Sequence, residues 1–241
     1  MCIRDRNKAI YLNANSIVTL SKAIGDSIET ALGSEIDYEV IPSAKTGFIP
    51  NESEVKRIKS TIEGNFIVGH IGELDDSHKG QQQIIELAKS MQVSEPDINF
   101  LLIGSGRDLR QLKQQSEGLE NLKFIGQIDN VGDYLALFDV FIFPSRHEGL
   151  GSILLDAMDF GLPILGSNMG GIPELIEDGV NGFLVDVNNI EVYKDALYKI
   201  YRDKELRANI QKNNLEKSKK YTSGIMANEY IKLYDRINNG L

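Results

Sequence analysis

The sequence predicts an α/β fold built on a doubly wound parallel sheet. Three observations carry that prediction. From residue 65 onward, apolar runs of strand length alternate with stretches whose apolar residues recur at helical spacing. One of these runs, residues 139–143 (DVFIF), has a buried strand's length and composition and leads through a Gly-rich turn straight into a helix. The chain is 41% hydrophobic and 25% charged over 241 residues, enough apolar material for a sizeable core in one domain, or one and a part. Strands that alternate with helices call for crossover connections, and these give parallel pairing with helices on both faces.

The elements follow in order. Residues 16–20 read as a strand, and Ser21 as the N-cap of a helix running to about Leu32. A second strand covers residues 38–42. The polar stretch at residues 50–64 reads as a connection with a short helix. Then come a strand at residues 66–71, a helix at 80–91 with Ile84, Ile85, Leu87, Ala88 and Met91 on one face, and a strand at 98–103. A helix at residues 107–117, a short strand at 122–125, a helix at 131–138 and the strand at 139–143 continue the alternation. A helix at 152–160 and strands at 163–166 and 183–185 complete the sheet, and three helices near 190–201, 204–219 and 223–237 end the chain. No internal repeat or low-complexity tract is visible.

Charge and cysteine content narrow the function. A net charge of −9 and a pI near 4.9 argue against non-specific nucleic-acid binding and against electrostatic attachment to anionic lipid. A single cysteine, Cys2, excludes an internal disulfide and a cysteine zinc site, and a reducing cytosol fits. No apolar run reaches the ~18 residues of a membrane helix, and no signal peptide is visible. The opening MCIRDR serves no element pattern; it reads as translated adaptor sequence, with the expectation that the natural chain begins upstream.

The chemistry gathers at residues 143–156, FPSRHEGLGSILLD. Pro144 ends the strand, a polar turn holds Glu148, Gly149, Leu150 and Gly151, and Ser152 opens the helix. In a parallel sheet such a turn lies outside the carboxyl end of the strand, where these folds bind ligands. The helix N-terminus presents free N–H groups and the positive end of its dipole, and glycines let a ligand approach the backbone. Carboxylates at Glu148 and Asp156 bracket the turn as acceptors for hydroxyls. Lys79, at the turn into another helix, is either a phosphate contact or a solvated surface lysine. Gly104 and Gly106 form half of a dinucleotide fingerprint, with Leu109 where the third glycine would stand; a tight turn and a close nucleotide approach are both compatible with them. Met169-Gly-Gly-Ile-Pro-Glu reads as a turn into a helix with Pro at its start. His70, His78 and His147 do not have the spacing of a metal site.

At RHEGLGSILLDAM, followed by GLPILGSNMGGIPELIEDGVNGFLV, the chain resembles the retaining, GT-B-fold glycosyltransferases called glycosyl transferases group 1, or family four. Their motif is a glutamate, seven residues and a second glutamate; here Glu148 takes the first place and Asp156 the second. The resemblance covers roughly residues 60–190 and implies a Rossmann-like donor-binding domain, the C-terminal half of a GT-B enzyme. It divides the chain into an artefact (1–6), the tail of an N-terminal acceptor domain (7–50), an interdomain connection (51–64), the nucleotide-sugar-binding domain (65–222) and a crossover helix (223–241). It implies that Lys79 and the Gly151-Ser152 helix start hold the donor diphosphate. Glu148 then reads donor-sugar hydroxyls as the catalytic residue, and Asp156 reads the ribose. Gly72, Gly104 and Gly106 approach the nucleotide, and backbone around Gln127 and Ile128 holds the base. The family usually has an arginine where this chain has Glu73, and His78, Arg107 and Arg146 are candidates to compensate. The implied reaction is metal-independent, cofactor-free transfer of a hexose from a nucleoside-diphosphate donor to a sugar, lipid-linked or other glycan acceptor. It would take place in the cytoplasm, free or peripheral to the inner membrane. Competing readings are a catalytically silent sugar-nucleotide binder, a GT-B sugar-nucleotide epimerase and a nicotinamide-dependent oxidoreductase.

Overall fold

The structure, a computed structural model, describes residues 9–62 and 64–239; the opening segment 1–6 lies outside them. A small N-terminal unit comprises β1 (Val18–Thr19), α1 (Lys22–Leu32) and β2 (Glu39–Val40). A connection carrying α2 (Glu52–Lys59) leads to β3 (Phe66–Ile71), α3 (Asp76–Lys79), α4 (Gln81–Met91), β4 (Ile98–Ile103), α5 (Leu109–Gln115) and β5 (Leu122–Gly126). The chain continues through α6 (Val131–Leu135), β6 (Val140–Phe143), α7 (Ser152–Asp159), β7 (Ile164–Ser167), α8 (Ile172–Leu175) and β8 (Gly182–Val185). It ends with α9 (Ile190–Arg202), α10 (Lys204–Ser218) and α11 (Ser223–Asn238).

β3 to β8 form one six-stranded sheet in the order β5-β4-β3-β6-β7-β8, and every pairing is parallel. Alternate residues of each strand feed two separate cores, as the period of two requires. Phe66, Val68, Phe100, Val140 and Ile142 pack beneath α4 and α9, against Leu87, Met91 and Leu197. Ile67, Leu101, Phe141, Phe143 and Ile164 pack beneath α6 and α7, against Leu135, Leu154 and Met158. The sheet is thus doubly wound, as the alternation predicts. β1 and β2 pair in parallel over two residues each, shorter than the apolar runs suggest.

One break departs from the expected helix at 80–91. The short turn α3 precedes it, and the chain bends at Gly80, whose φ is +67°. A Cβ there would lie 2.2 Å from the Pro144 carbonyl oxygen, so only glycine lets this turn rest on the end of β6.

α10 is fastened to the sheet by a buried pair of amides. Asn214 donates to the carbonyls of Leu162 and Asn181, each at 2.8 Å, and accepts from Asn181 at 3.0 Å; Asn181 in turn serves Leu175 and Glu177. Replacing Asn214 by leucine orphans these carbonyls, each a desolvated acceptor. The expected cost is about 1–3 kcal/mol in urea unfolding with an unchanged m-value; unchanged stability would show that the network contributes nothing.

Candidate functional site

In the sheet order, the chain runs outward from β3 through β4 to β5, then returns to place β6 on the other side of β3. The loops leaving the carboxyl ends of β3 and β6 therefore diverge and open a crevice, the place where parallel sheets bind ligands. Both principal candidates come from these two loops. Lys79 Nζ lies 2.6 Å from Glu148 Oε2, and the two side chains are 23% and 15% exposed. The ammonium also lies 5.6 Å from the centroid of the Phe143 ring.

The two loops are stitched together by backbone. The His78 carbonyl accepts from the N–H groups of Arg146 (2.7 Å) and His147 (3.2 Å), and buried Gln83 donates to the Pro144 carbonyl at 3.0 Å. Beyond Glu148 the chain turns through Gly151 in a left-handed conformation (φ 79°) into α7, which has no side-chain cap. The backbone N–H groups of residues 149–153 find no acceptor among the described residues. They form a cradle of donors at the positive end of a helix, beside a lysine.

Behind the loop after β3 stands His70, fully buried. Its Nδ1 lies 3.0 Å from the Ile142 carbonyl, which makes that nitrogen the donor, and its Nε2 accepts from the Gln81 amide at 3.3 Å. The same amide donates to the Glu73 carbonyl at 2.7 Å. Burial drives the His70 pKa down to about 4, against a smaller upward pull from the Ile142 carbonyl. The imidazole is therefore a neutral support for the loop rather than a charge at the site.

Gly104 and Gly106 serve the packing of loops. Gly104 has φ +134°, and a Cβ on it would meet the Gly72 carbonyl at 1.9 Å; one on Gly106 would meet the Leu74 carbonyl at 2.4 Å. The loop after β3 thus lies directly on the loop after β4. A cavity of about 270 Å³ opens beside them, lined by Gly72, Glu73, Gly104, Gln127, Ile128 and Val131 among others. A second, of about 460 Å³, lies on the Glu148 side between Arg146, Met169, Gly170 and Ile24 of α1.

The structure thus brings Gly72, Lys79, Gly104, Gln127, Ile128, Glu148, Gly149, Gly151 and Ser152 to one crevice or its flanking cavities. Three expected residues stand otherwise. Asp156, only 6% exposed, faces the connection before β3: its carboxylate accepts from the Thr46 N–H at 2.6 Å and from the Thr46 hydroxyl at 3.1 Å. It is one helical turn past the cradle, and α7 turns it toward that segment. Leu150 is a core side chain, 3% exposed, so only its backbone is available to a ligand. Gly106 lies against Leu74 and does not line the cavity.

The cations proposed to compensate for Glu73 are largely occupied. Arg107 donates to Asp75 at 2.8 Å and to Ser77. Asp75 is held down at about 2 by the Ser77 hydroxyl first, then by Arg107 and His78. Arg146 donates to the Asp76 carbonyl and to Asn188, and the exposed His78 ring shares Asp75.

Sequence reasoning missed the contacts that bring α1 to this site. Ser21, the N-cap, donates to the Gly149 carbonyl at 2.6 Å, and the Glu174 carboxylate accepts from the N–H groups of Lys22 (3.0 Å) and Ala23 (2.9 Å). Gly170 and Gly171 allow this, since a Cβ on either would lie about 2 Å from the carbonyls of Glu148 and Gly149. The cap residue and the Gly-Gly-Ile-Pro-Glu string were legible, but not that they meet. At the far end, α11 buries Leu233 and ties back to the N-terminal unit through Arg236 and Glu39, while Ile225, Ile231 and Tyr234 stay exposed. No helix among the described residues is long and apolar enough to cross a membrane.

The family model of glycosyl transferases group 1 matches residues 51–217, which hold the whole six-stranded sheet. The chain belongs to that family. Among its relatives is N-acetyl-alpha-D-glucosaminyl L-malate synthase of Bacillus anthracis, 31% identical over 66% of this chain and 42% of its own length. Another is the phosphatidyl-myo-inositol mannosyltransferase of Mycobacterium leprae, 28% identical over 69% and 46%. The chain thus spans less than half the length of either relative. Among solved structures, Anabaena HepE in complex with UDP-glucose superposes with a TM-score of 0.83 at 24% identity, over 92% of this chain and 64% of that one. The C-terminal domain of the group 1 protein LpcC from Francisella tularensis superposes at 0.65 with 28% identity, over 73% of this chain and 96% of that one. For this group 1 chain the GT-B-type, Rossmann-like architecture is therefore established.

Two outcomes follow from the placements above. Asp156→Ala leaves the Thr46 N–H and hydroxyl without their acceptor, so unfolding free energy is expected to fall by about 1–3 kcal/mol, with little change in nucleotide affinity measured by calorimetry. A loss confined to affinity would return Asp156 to the binding site. His70 resists protonation in the folded state while the unfolded chain takes up its proton near the ordinary value of 6.5. Its contribution is present above that pH and is lost as pH falls toward about 4. Chemical denaturation across this window should show a slope worth up to about 3 kcal/mol, and His70→Leu should flatten it; an unchanged slope would show that His70 is not its source.

Proposed function

We propose that this chain is the donor-binding part of a retaining hexosyltransferase. The observation that carries the reading is the meeting of Lys79, Glu148 and the unpaired N–H groups of residues 149–153 at the switch point between β3 and β6. A nucleoside diphosphate carries the charge such a cradle and lysine are suited to hold. On binding, Lys79 turns from Glu148 to the diphosphate, and the freed Glu148 carboxylate accepts from hydroxyls of the transferred sugar in the cavity toward α1. The nucleoside lies on the other side, in the cavity between the ends of β3, β4 and β5. As the glycosidic bond breaks, charge develops on the departing diphosphate, and donors already fixed in place stabilise it. Transfer with retention then needs no covalent nucleophile and no metal from this chain. HepE, of like fold, is seen with UDP-glucose, which supports a nucleotide-sugar as the donor. Acceptors are sugars or lipid-linked glycans, presented mainly by the N-terminal side of the cleft.

One observation favours a second reading, a sugar-nucleotide binder without transfer activity. Glu73 stands where the family usually has an arginine, and Arg107 and Arg146 are engaged elsewhere. A binder of this kind would take up donor but neither hydrolyse nor transfer it.

Isothermal titration with UDP and GDP in the presence of EDTA should give binding, and Lys79→Ala should weaken it roughly tenfold or more. Binding seen only after magnesium or manganese is added would defeat the metal-independent reading. Release of sugar from UDP- or GDP-hexoses separates the transferase from the silent binder.

A further inference from the structure

The cavity between the ends of β3, β4 and β5 has a lining that distinguishes one base from another. Its walls are backbone and aliphatic: Gly72 and Gly104 on one side, Ile128 and Val131 on the other. At about 270 Å³ it is the scale of a single nucleoside, just below the roughly 300–1,000 Å³ typical of ligand pockets. Three lining side chains carry hydrogen-bonding groups, Glu73, Ser105 and Gln127, and the Ser105 hydroxyl is spent on Gln127. Glu73 is the only charged residue of the lining, and its carboxylate makes no ion pair or side-chain hydrogen bond among the described residues. Its place in the loop is nonetheless fixed: its carbonyl accepts from Gln81, and the next residue, Leu74, donates to Ser105 at 3.0 Å. Gln127 has its amide oxygen taken by the Ser105 hydroxyl at 3.2 Å, which leaves its NH₂ group as a donor.

We infer that Glu73 makes this a guanine site, so that the donor is a GDP-sugar. The inference rests on the reading that the crevice binds a nucleoside-diphosphate sugar. A carboxylate has only acceptors. Guanine places two N–H donors side by side, on N1 and on the exocyclic N2, with the O6 acceptor next to them. A carboxylate takes the two donors with its two oxygens, and the Gln127 NH₂ group meets O6. Uracil offers one N–H between two carbonyl oxygens, so a two-oxygen acceptor meets one donor and one repelling oxygen. Adenine offers an amine beside an unprotonated ring nitrogen, and the second carboxylate oxygen again meets an acceptor. A site built to accept from two N–H groups discriminates by leaving its own acceptors unpaired, or opposed, when the wrong base enters. The same reading gives the departure from arginine at this position a use: the charge there addresses the base rather than the phosphates.

Titration of the full chain with GDP, UDP and ADP, each in EDTA, tests this, with Glu73→Gln and Glu73→Ala as companions. The expected result is roughly tenfold or greater preference for GDP over both others, reduced to within a few-fold in both variants. Because Glu73 is exposed, the variants should keep the parent's melting temperature. UDP or ADP binding as tightly as GDP overturns the guanine assignment and leaves the donor-site reading standing. A GDP preference that survives both substitutions overturns the role of Glu73. Failure of all three nucleotides to bind overturns the donor-site reading itself, and the guanine assignment with it.

Discussion

The site depends on the close approach of two loops that belong to distant parts of the chain. Gly80 rests on the carbonyl of Pro144, and that contact sets Lys79 against Glu148. A larger residue at Gly80 would lift α3 away from the end of β6 and separate the two charges. The surrounding structure supports this contact from behind. Gln83 fills the remaining acceptor need of Pro144, His70 ties the end of β3 to Ile142 in β6, and Gln81 carries that tie to Glu73. Each of these three buried side chains holds a backbone carbonyl of a neighbouring strand or loop, so the loops have little freedom to drift apart.

The ion pair is mostly covered, which makes it more than a surface salt bridge. Two charges partly removed from water gain from each other what they lose in hydration, and removing either leaves the other exposed to that loss. A ligand that supplies an anion to Lys79 and hydroxyls to Glu148 replaces each partner with another, so the exchange does not strand a charge. The unpaired N–H groups before α7 are in a different position: they have no protein partner to give up, and an anion that meets them gains without displacement.

The N-terminal unit contributes to the same place. Glu174 holds the first turn of α1, and Ser21 reaches the carbonyl of Gly149, so α1 forms one wall of the cavity beside Glu148. Asp156 performs a similar task from the other side, holding Thr46 in the connection. Both carboxylates join the segment before β3 to the sheet domain. Both contacts are positional: each carboxylate accepts from backbone N–H groups of the segment it holds.

Much of the fold could be read from residue order, because it rests on local periodicity. The alternation of strand and helix, Ser21 as a cap, the Gly-rich turn and the Lys79 turn all depend on neighbours within a few positions. The strand order places β6 beside β3 and puts Lys79 within reach of Glu148, sixty-nine positions away, and no local pattern encodes that distance. Asp156 shows the limit most clearly. Its spacing from Glu148 matches a motif, but the rotation of α7 and the path of the connection decide which way its side chain faces, and they turn it to Thr46. Gly104 and Gly106 show it again: the sequence alone marks them as places of close approach, and only the packing of one loop on another reveals that the approaching group is the protein's own backbone. Short-range order thus determined which elements form and which residues carry chemistry. Long-range packing, through loop contacts that no periodicity records, decided which of those residues meet.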